Sequence, residues 1–156
     1  MSGVRLAPGS GQANVATGLP LLDHLLTAFA RAGRFDLALE IEPDEPAAEV
    51  DRAGAALGLA VAPLLRAGAH GSGVMPSEEA LAMVVVESSG KTLVASNADL
   101  TGAGGLGADL AARFLASLSE TAALTLHVRL LEGENTDHVL EAIFKALGAA
   151  LADAID

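Results

Sequence analysis

Three polar side chains near the C-terminus are spaced so that a single helix would present them together. His138, Glu141 and Lys145 follow one another at intervals of three and four residues, which places them on one face of a helix. An imidazole and a carboxylate one helical turn apart can hold a metal ion. The alternative is an ordinary exposed polar face, which is the more common meaning of an isolated His-x-x-Glu pair.

The residues around this trio are small. Ala142, Gly148 and Ala149 lie beside it on the predicted helix, whose apolar stripe is on roughly the opposite side and consists of Leu140, Ile143, Phe144 and Leu147. Small side chains permit the close approach of another molecule, most simply a second subunit. We therefore predict an outward-facing site that is enclosed by oligomerisation.

Two further histidines are candidates for the same chemistry. His24 follows Asp23 on a predicted helix, and a neighbouring carboxylate can orient an imidazole. His127 alternates with the apolar side chains of a predicted strand, so it points away from the core. Its alternative role is a solvent-facing or interface side chain.

The segment that contains these groups has a counterpart earlier in the chain. Residues 35–58 match residues 124–148. The offset between the two copies is 89 at Phe35 and 90 at Asp51, and one extra residue in the later connection accounts for this difference. In the earlier copy, Ala47 and Ala48 stand where the later copy has Asp137 and His138, and Asp51 stands in place of Glu141. The chain is thus predicted to be duplicated, with one half-site depleted.

The predicted elements of each half are a small sheet and two helices. Strands alternate from Phe35 to Ile41 and from Leu124 to Leu130, and each is preceded by a predicted helix, over 21–32 and 108–119. Residues 81–87 and 92–96 predict a hairpin, and Glu78 and Glu79 predict acids in a first helical turn. The fold class is therefore α+β, with half-repeats 1–75 and 76–156 in one compact domain.

Composition excludes several functions. The 156 residues include nine Lys and Arg against twenty Asp and Glu, for a net charge of −11, which argues against nucleic acid as a partner. The absence of cysteine favours a reducing compartment, by default the cytoplasm. No apolar stretch is long enough to cross a membrane, and no nucleophile-elbow, dinucleotide or P-loop motif occurs in a suitable context. We expect a soluble protein.

These motifs together resemble the imidazoleglycerol-phosphate dehydratase family, the manganese-dependent lyases of histidine biosynthesis. The resemblance extends in order over nearly the whole chain. It is carried by Thr17-Gly18, Leu22–Leu25, Pro76–Leu81, Ser89–Lys91, Leu126–Arg129, Gly133, Asn135, His138 and Glu141–Ala146.

The resemblance implies a fold and an assembly. Each half would be a four-stranded sheet with two helices on one face, as in the second domain of ribosomal protein S5, and subunits would form large oligomers with active sites between them. A phosphate-bearing small molecule would be the substrate, bound in imidazolate form to manganese and losing water from its glycerol-phosphate chain.

The resemblance also implies roles for particular residues. The catalytic groups would be Glu141 and His24. The phosphate would face Lys91 and Lys145. The metal ligands would be drawn from His24, His127, His138, Glu141, Asp137 and Asp51.

The chain departs from the family pattern at several of these positions. The first His-His-x-x-Glu motif of the family is replaced by Ala47–Asp51, and the second has Asp137 in place of its first histidine. Two interpretations stay open. The protein is either a dehydratase or a non-catalytic paralogue that keeps the assembly surface and co-assembles with an active enzyme.

Overall fold

The structure, a computed structural model, describes residues 3–98 and 110–155. Within them the elements are β1 (Gly3–Pro8), β2 (Ala13–Ala16), α1 (Pro20–Gly33), β3 (Phe35–Glu40), α2 (Pro46–Val61), β4 (His70–Ser77), β5 (Ala80–Glu87), β6 (Leu93–Ser96), α3 (Leu110–Ala122), β7 (Thr125–Glu132) and α4 (Thr136–Ile155). A single 3₁₀ turn, Ala62–Leu64, follows α2. The order strand, strand, helix, strand, helix occurs twice, and the predicted α+β class with two similar halves is confirmed.

The two sheets share a pattern of pairing. In the first sheet, β3 lies between β1, which is antiparallel to it, and β2, which is parallel. In the second sheet, β7 lies in the same way between antiparallel β5 and parallel β6, and β4 adds a fourth strand beside β5. The prediction of four strands in each half is therefore correct for the second half, whereas the described residues of the first half form three.

The helices form a layer between the sheets. α1 and α2 pack on the first sheet, α3 and α4 pack on the second, and the layer is closed by the contacts of α1 with α4 and of α2 with α3. Phe29 stacks on Phe35 at one junction, and Phe114 packs against Phe144 at another. Because each half contributes one helix to each pair, the two halves share one apolar core.

Close helix packing depends on glycine. A Cβ on Gly148 would lie 2.2 Å from the carbonyl oxygen of Phe29, so α1 and α4 approach more closely than any larger residue allows. Ala142 is fully buried, and the Ala149 side chain faces Gly73 of β4. These small residues therefore contact α1 and β4 of the same chain. The interpretation that they leave room for another subunit is wrong.

Two local predictions also need correction. Residues 81–87 and 93–96 are strands, but β7 lies between them, so they do not form a hairpin. Glu78 and Glu79 form the tight turn from β4 to β5, where Glu78 has φ 52°, and do not begin a helix. The division of the chain into half-repeats at 75/76 stays a prediction. The predicted start of a helix at Ala108 lies outside the described residues.

None of the helices within residues 3–98 and 110–155 combines the length and apolar character needed to cross a bilayer.

Candidate functional site

The site is built around the first two turns of α4, whose start is held by a neighbouring hairpin. The side-chain oxygen of Asn135 accepts hydrogen bonds from the backbone N–H groups of Asp137 and His138, at 3.0 and 3.2 Å. This is the N-cap geometry that satisfies amides at a helix start. Glu79, in the β4–β5 turn, accepts a further bond from the N–H of Asn135 at 3.1 Å. The hairpin and the helix therefore hold each other in place.

The same turn supplies the partner of His138. The Nδ1 atom of His138 lies 2.5 Å from Oε1 of Glu79. The hydrogen bond from His138, with help from the Asn135 N–H, lowers the pKa of Glu79 to about 2. The bond to Glu79, followed by the charges of Glu79, Glu78 and Asp137, raises the pKa of His138 above its usual 6.5. The contact is thus an imidazolium–carboxylate pair at mildly acidic pH.

One turn further along α4, Glu141 joins three elements. Its Oε1 accepts a hydrogen bond of 2.7 Å from the Ser77 hydroxyl at the end of β4, and its Oε2 lies 2.5 Å from Nε2 of His24 on α1. The Ser77 hydroxyl, and then His24, lower the pKa of Glu141. The Glu141 side chain is 29% exposed and that of His24 is 60% exposed. The pair is therefore fixed on one side and open to solvent on the other.

Positive charge surrounds this pair. Lys145 lies one turn beyond Glu141, and its Nζ donates a 2.7 Å hydrogen bond to the carbonyl oxygen of Pro76. A groove of about 320 Å³ between α1 and α4 is lined by His24, Thr27, Ala28, Arg31, Ala32, Met75, Glu141 and Lys145. Two permanent cations and an imidazole thus face one carboxylate, and such a groove favours a small anion.

The remaining predicted site residues lie elsewhere. His127 alternates with buried Leu126 and Val128 on β7, so it is on the exposed face of the second sheet, away from α4. Lys91 follows the end of β5 that pairs with Thr125 of β7. Ser77 lies beside the other end of β5, and the two ends are roughly 20 Å apart along the strand. One chain therefore does not bring these two residues to the groove.

Of the two predicted acidic ligands, Asp137 lies one turn before Glu141 on α4, whereas Asp51 lies on another helix. Asp137 is exposed at the start of α4. Asp51 lies on α2, where it forms an ion pair with Arg113 of α3. Within one chain, the structure thus groups His24, Glu141, His138 and Lys145, with Asp137 beside His138. It separates this group from His127, Lys91 and Asp51.

A manganese site requires more donors than this group supplies. Among residues 3–98 and 110–155, no cluster of three or more His, Asp or Glu side chains could hold a metal ion. Each histidine of the group is hydrogen-bonded to a single carboxylate, whereas an octahedral manganese ion takes about six donors. The groups of one chain do not by themselves fit the ion.

Three residues of the site were not predicted from the sequence as functional. Glu79 was assigned to a helix start, Ser77 lies in a strand that was not predicted, and Arg31 carries no motif signal of its own. Asp23 was expected to orient His24, but its carboxylate accepts hydrogen bonds from the backbone and hydroxyl of Thr17 instead. The contact between β4 and α4 identifies the first two residues, whose one signal in the sequence is the family resemblance of Pro76–Leu81.

The fold and the site define an α+β protein of two similar halves, with an acid–imidazole pair in a cationic groove between its helices. A sequence profile of the imidazoleglycerol-phosphate dehydratases matches residues 17–151. The dehydratase of Acetivibrio thermocellus is 36% identical over 155 residues, which cover 94% of this chain and 80% of the relative. That of Bacillus thuringiensis is 36% identical over 152 residues, covering 92% and 78%. The chain therefore belongs to the imidazoleglycerol-phosphate dehydratase family.

Solved structures agree with this assignment. The dehydratase of Pyrococcus furiosus in complex with (S)-C348 superposes with a TM-score of 0.86 at 29% identity, over 98% of this chain and 87% of that one. The Staphylococcus aureus enzyme gives a TM-score of 0.84 at 29% identity, over 97% and 91%. The arrangement of two halves is thus similar to that of its relatives, although only part of each sequence is shared.

Proposed function

We propose that the protein removes water from imidazoleglycerol phosphate, as a lyase of histidine biosynthesis in the cytoplasm. The observation that carries this proposal is the groove in which the bonded His24–Glu141 pair lies beside Lys145 and Arg31. It gives a member of this family both a proton-transfer pair and positive charge for a phosphate, on helices that the core holds rigid.

The pair has the chemistry that a dehydration needs. Removal of water takes a proton from one carbon and a hydroxyl group from its neighbour, so a base and an acid must act on adjacent atoms. Glu141 is held ionised by Ser77 and is positioned to accept a proton. His24, within hydrogen-bond distance of it, is positioned to donate one to the departing hydroxyl.

The cations would bind the other end of the substrate. Lys145 is fixed by its bond to the Pro76 carbonyl, and Arg31 lines the same groove from α1. An arginine can donate two parallel hydrogen bonds to a phosphate, and a lysine contributes a point charge. Lys91 would join them only if another copy of the chain brought it there.

Manganese is the cofactor that the family resemblance implies, and it would act as a Lewis acid toward the substrate. The described residues of one chain do not supply its ligands. We propose instead that the protein works as a homo-oligomer of high order, in which a second copy completes the donor set around His24, His138 and Glu141.

The test is to purify the assembled chain, measure bound manganese, and follow turnover of imidazoleglycerol phosphate. We expect turnover that falls by about 10²-fold or more on Glu141→Gln, the loss typical of a general acid or base. Glu120→Gln, on the exposed side of α3, is the matched control and should retain full activity.

An assembled oligomer that carries manganese but has no turnover would contradict this proposal. It would support the non-catalytic paralogue, which the alanines at positions 47 and 48 also favour. Mixing the chain with a family member that has both His-His-x-x-Glu motifs would then show whether the two co-assemble.

A further inference from the structure

The His24–Glu141 contact has a counterpart on the other side of the molecule. His24 on α1 corresponds to Arg113 on α3 at the offset of 89 that relates Phe35 to Leu124, and Glu141 corresponds to Asp51. The first pair connects α1 to α4, and the second connects α3 to α2. Each half therefore places a basic group of its first helix against an acid of the other half's second helix.

The two pairs differ in the chemistry of the basic group. Arg113 donates from Nε to Oδ1 of Asp51 at 3.1 Å and from Nη2 to Oδ2 at 2.5 Å. This two-pronged contact uses both carboxylate oxygens, and it lowers the pKa of Asp51. The guanidinium is always charged and has no lone pair to give a metal, whereas the imidazole at the corresponding position has one.

The surroundings of Asp51 are equally unsuited to a metal ion. Ala47 and Ala48, one turn before it on α2, carry no donor atoms. The next residue, Arg52, forms an ion pair with Asp44 at 2.7 Å and adds a second cation. At the corresponding place beside Glu141, the chain has the Ser77 hydroxyl and His138. A divalent cation near Asp51 would meet two positive charges and an occupied carboxylate.

We infer that the Arg113 guanidinium has taken the place of a metal ion at the α2–α3 position. In each chain, a metal ion can then bind only at the α1–α4 position, which contains His24 and Glu141. The number of metal sites per chain is at most one, and the role of Asp51 is to join two helices. The part of the inference that places a metal ion at the α1–α4 position rests on the proposed function. The part that excludes a metal ion at Asp51 does not.

The first test counts manganese on the full, assembled chain by equilibrium dialysis, with the free ion measured by electron paramagnetic resonance. Asp51→Asn and Glu141→Gln are matched variants at corresponding positions. We expect no more than one manganese per chain, with the count and affinity unchanged in Asp51→Asn and any bound metal weakened in Glu141→Gln. Two ions per chain, or loss of an ion in Asp51→Asn, would overturn the inference.

A second test remains decisive if the chain binds no manganese. The melting temperatures of Asp51→Asn, Arg113→Gln and the double variant form a thermodynamic cycle. We expect each single change to lower the melting temperature by about 1–2 °C, as for an exposed ion pair in a chain of this size. The double variant should melt no lower than the less stable single one.

Losses that add in the double variant would show that the guanidinium does not fill this role. Neither test measures turnover. A protein without dehydratase activity that still passes both would disprove the proposed function and leave this inference in place.

Discussion

At the scale of single residues, two imidazole–carboxylate contacts lie one helical turn apart on α4 and differ in what surrounds them. Glu141 is half-buried and is fixed by a serine hydroxyl, whereas Glu79 is in an exposed turn and is fixed by backbone amides. His24 comes from another helix, but His138 lies on α4 itself. The first contact is therefore suited to proton transfer within a groove, and the second to holding the start of the helix.

The His138–Glu79 pair should make stability depend on pH. The raised pKa of His138 contributes stability that is complete below 6.5 and is lost as pH rises through its folded-state pKa. The lowered pKa of Glu79 contributes stability that is complete above 4.5 and is lost as pH falls toward about 2. Both contributions are complete between pH 4.5 and 6.5.

Relative to the unchanged chain, the Glu79→Gln variant should therefore be most destabilised between pH 4.5 and pH 6.5. Urea unfolding over a pH series in metal-chelating buffer measures this difference, with Glu120→Gln as the control. A difference between the two chains that does not vary with pH would contradict the prediction.

Ser77→Ala should weaken the Glu141 contact. The hydroxyl is buried and donates at 2.7 Å, so its loss should lower the free energy of unfolding by about 1 kcal/mol and let the pKa of Glu141 rise toward its usual value. Urea unfolding at neutral pH measures the first effect. Ser72→Ala is the control, because Ser72 is exposed on the same strand and contacts Asp153 through its backbone N–H. Equal midpoints for the two variants would disprove the prediction.

At the scale of elements, the sequence predicts those strands and helices that have one polar and one apolar face. β3 and β7 alternate cleanly, and α1 and α4 carry apolar stripes, so these four were predicted correctly. β4 was missed because Gly71 and Gly73 lie where a strand usually has large side chains. A Cβ on Gly71 would be 2.3 Å from the Ala150 carbonyl oxygen, so α4 leaves no space for one.

Pairings between distant elements could not be predicted from sequence pattern. β5 and β6 are neighbours along the chain but are separated by β7 in the sheet, and periodicity carries no information about that order. For the same reason, the contacts of Glu141 with His24 and of His138 with Glu79 were not predicted, although three of these four residues were recognised as candidates.

The junction of α1 and α4 gives a test at this scale. In an ordinary helix, Gly→Ala is favourable by about 1 kcal/mol. At Gly148 the new methyl group would meet the backbone of Phe29, so we expect Gly148→Ala to destabilise the protein by about 1–3 kcal/mol. Calorimetry measures the change in melting temperature. Gly3→Ala, with no neighbour within 4 Å, is the control. A raised melting temperature for Gly148→Ala would contradict this packing.

At the scale of the whole molecule, the candidate residues are divided between two surfaces. His24, Glu141 and Lys145 line the groove, and His138 lies one turn before Glu141 on α4, whereas His127 is on the exposed face of the second sheet. The core fixes both surfaces, so no small movement within one chain brings them together. If His127 takes part in the site, it must come from a second copy of the chain, and this requirement links the proposed activity to the proposed assembly.

Mixing two inactive variants tests that link. His127→Ala and Glu141→Gln each remove one group, and every oligomer made from either variant alone should be inactive. In an equal mixture that has been dissociated and reassembled, a site made by two copies is intact when each copy contributes its unchanged group. Random assembly should then restore about a quarter of the activity.

If both groups acted within one chain, no mixed oligomer would contain an intact site, and the activity would stay at the level of the separate variants. The control is a mixture of His24→Ala with Glu141→Gln. Both of these groups line the groove of a single chain, so mixing them should restore nothing. Recovery in the first mixture alone would place His127 in a site completed by a neighbouring subunit. Recovery in neither would show that a neighbouring subunit does not supply His127 to the site.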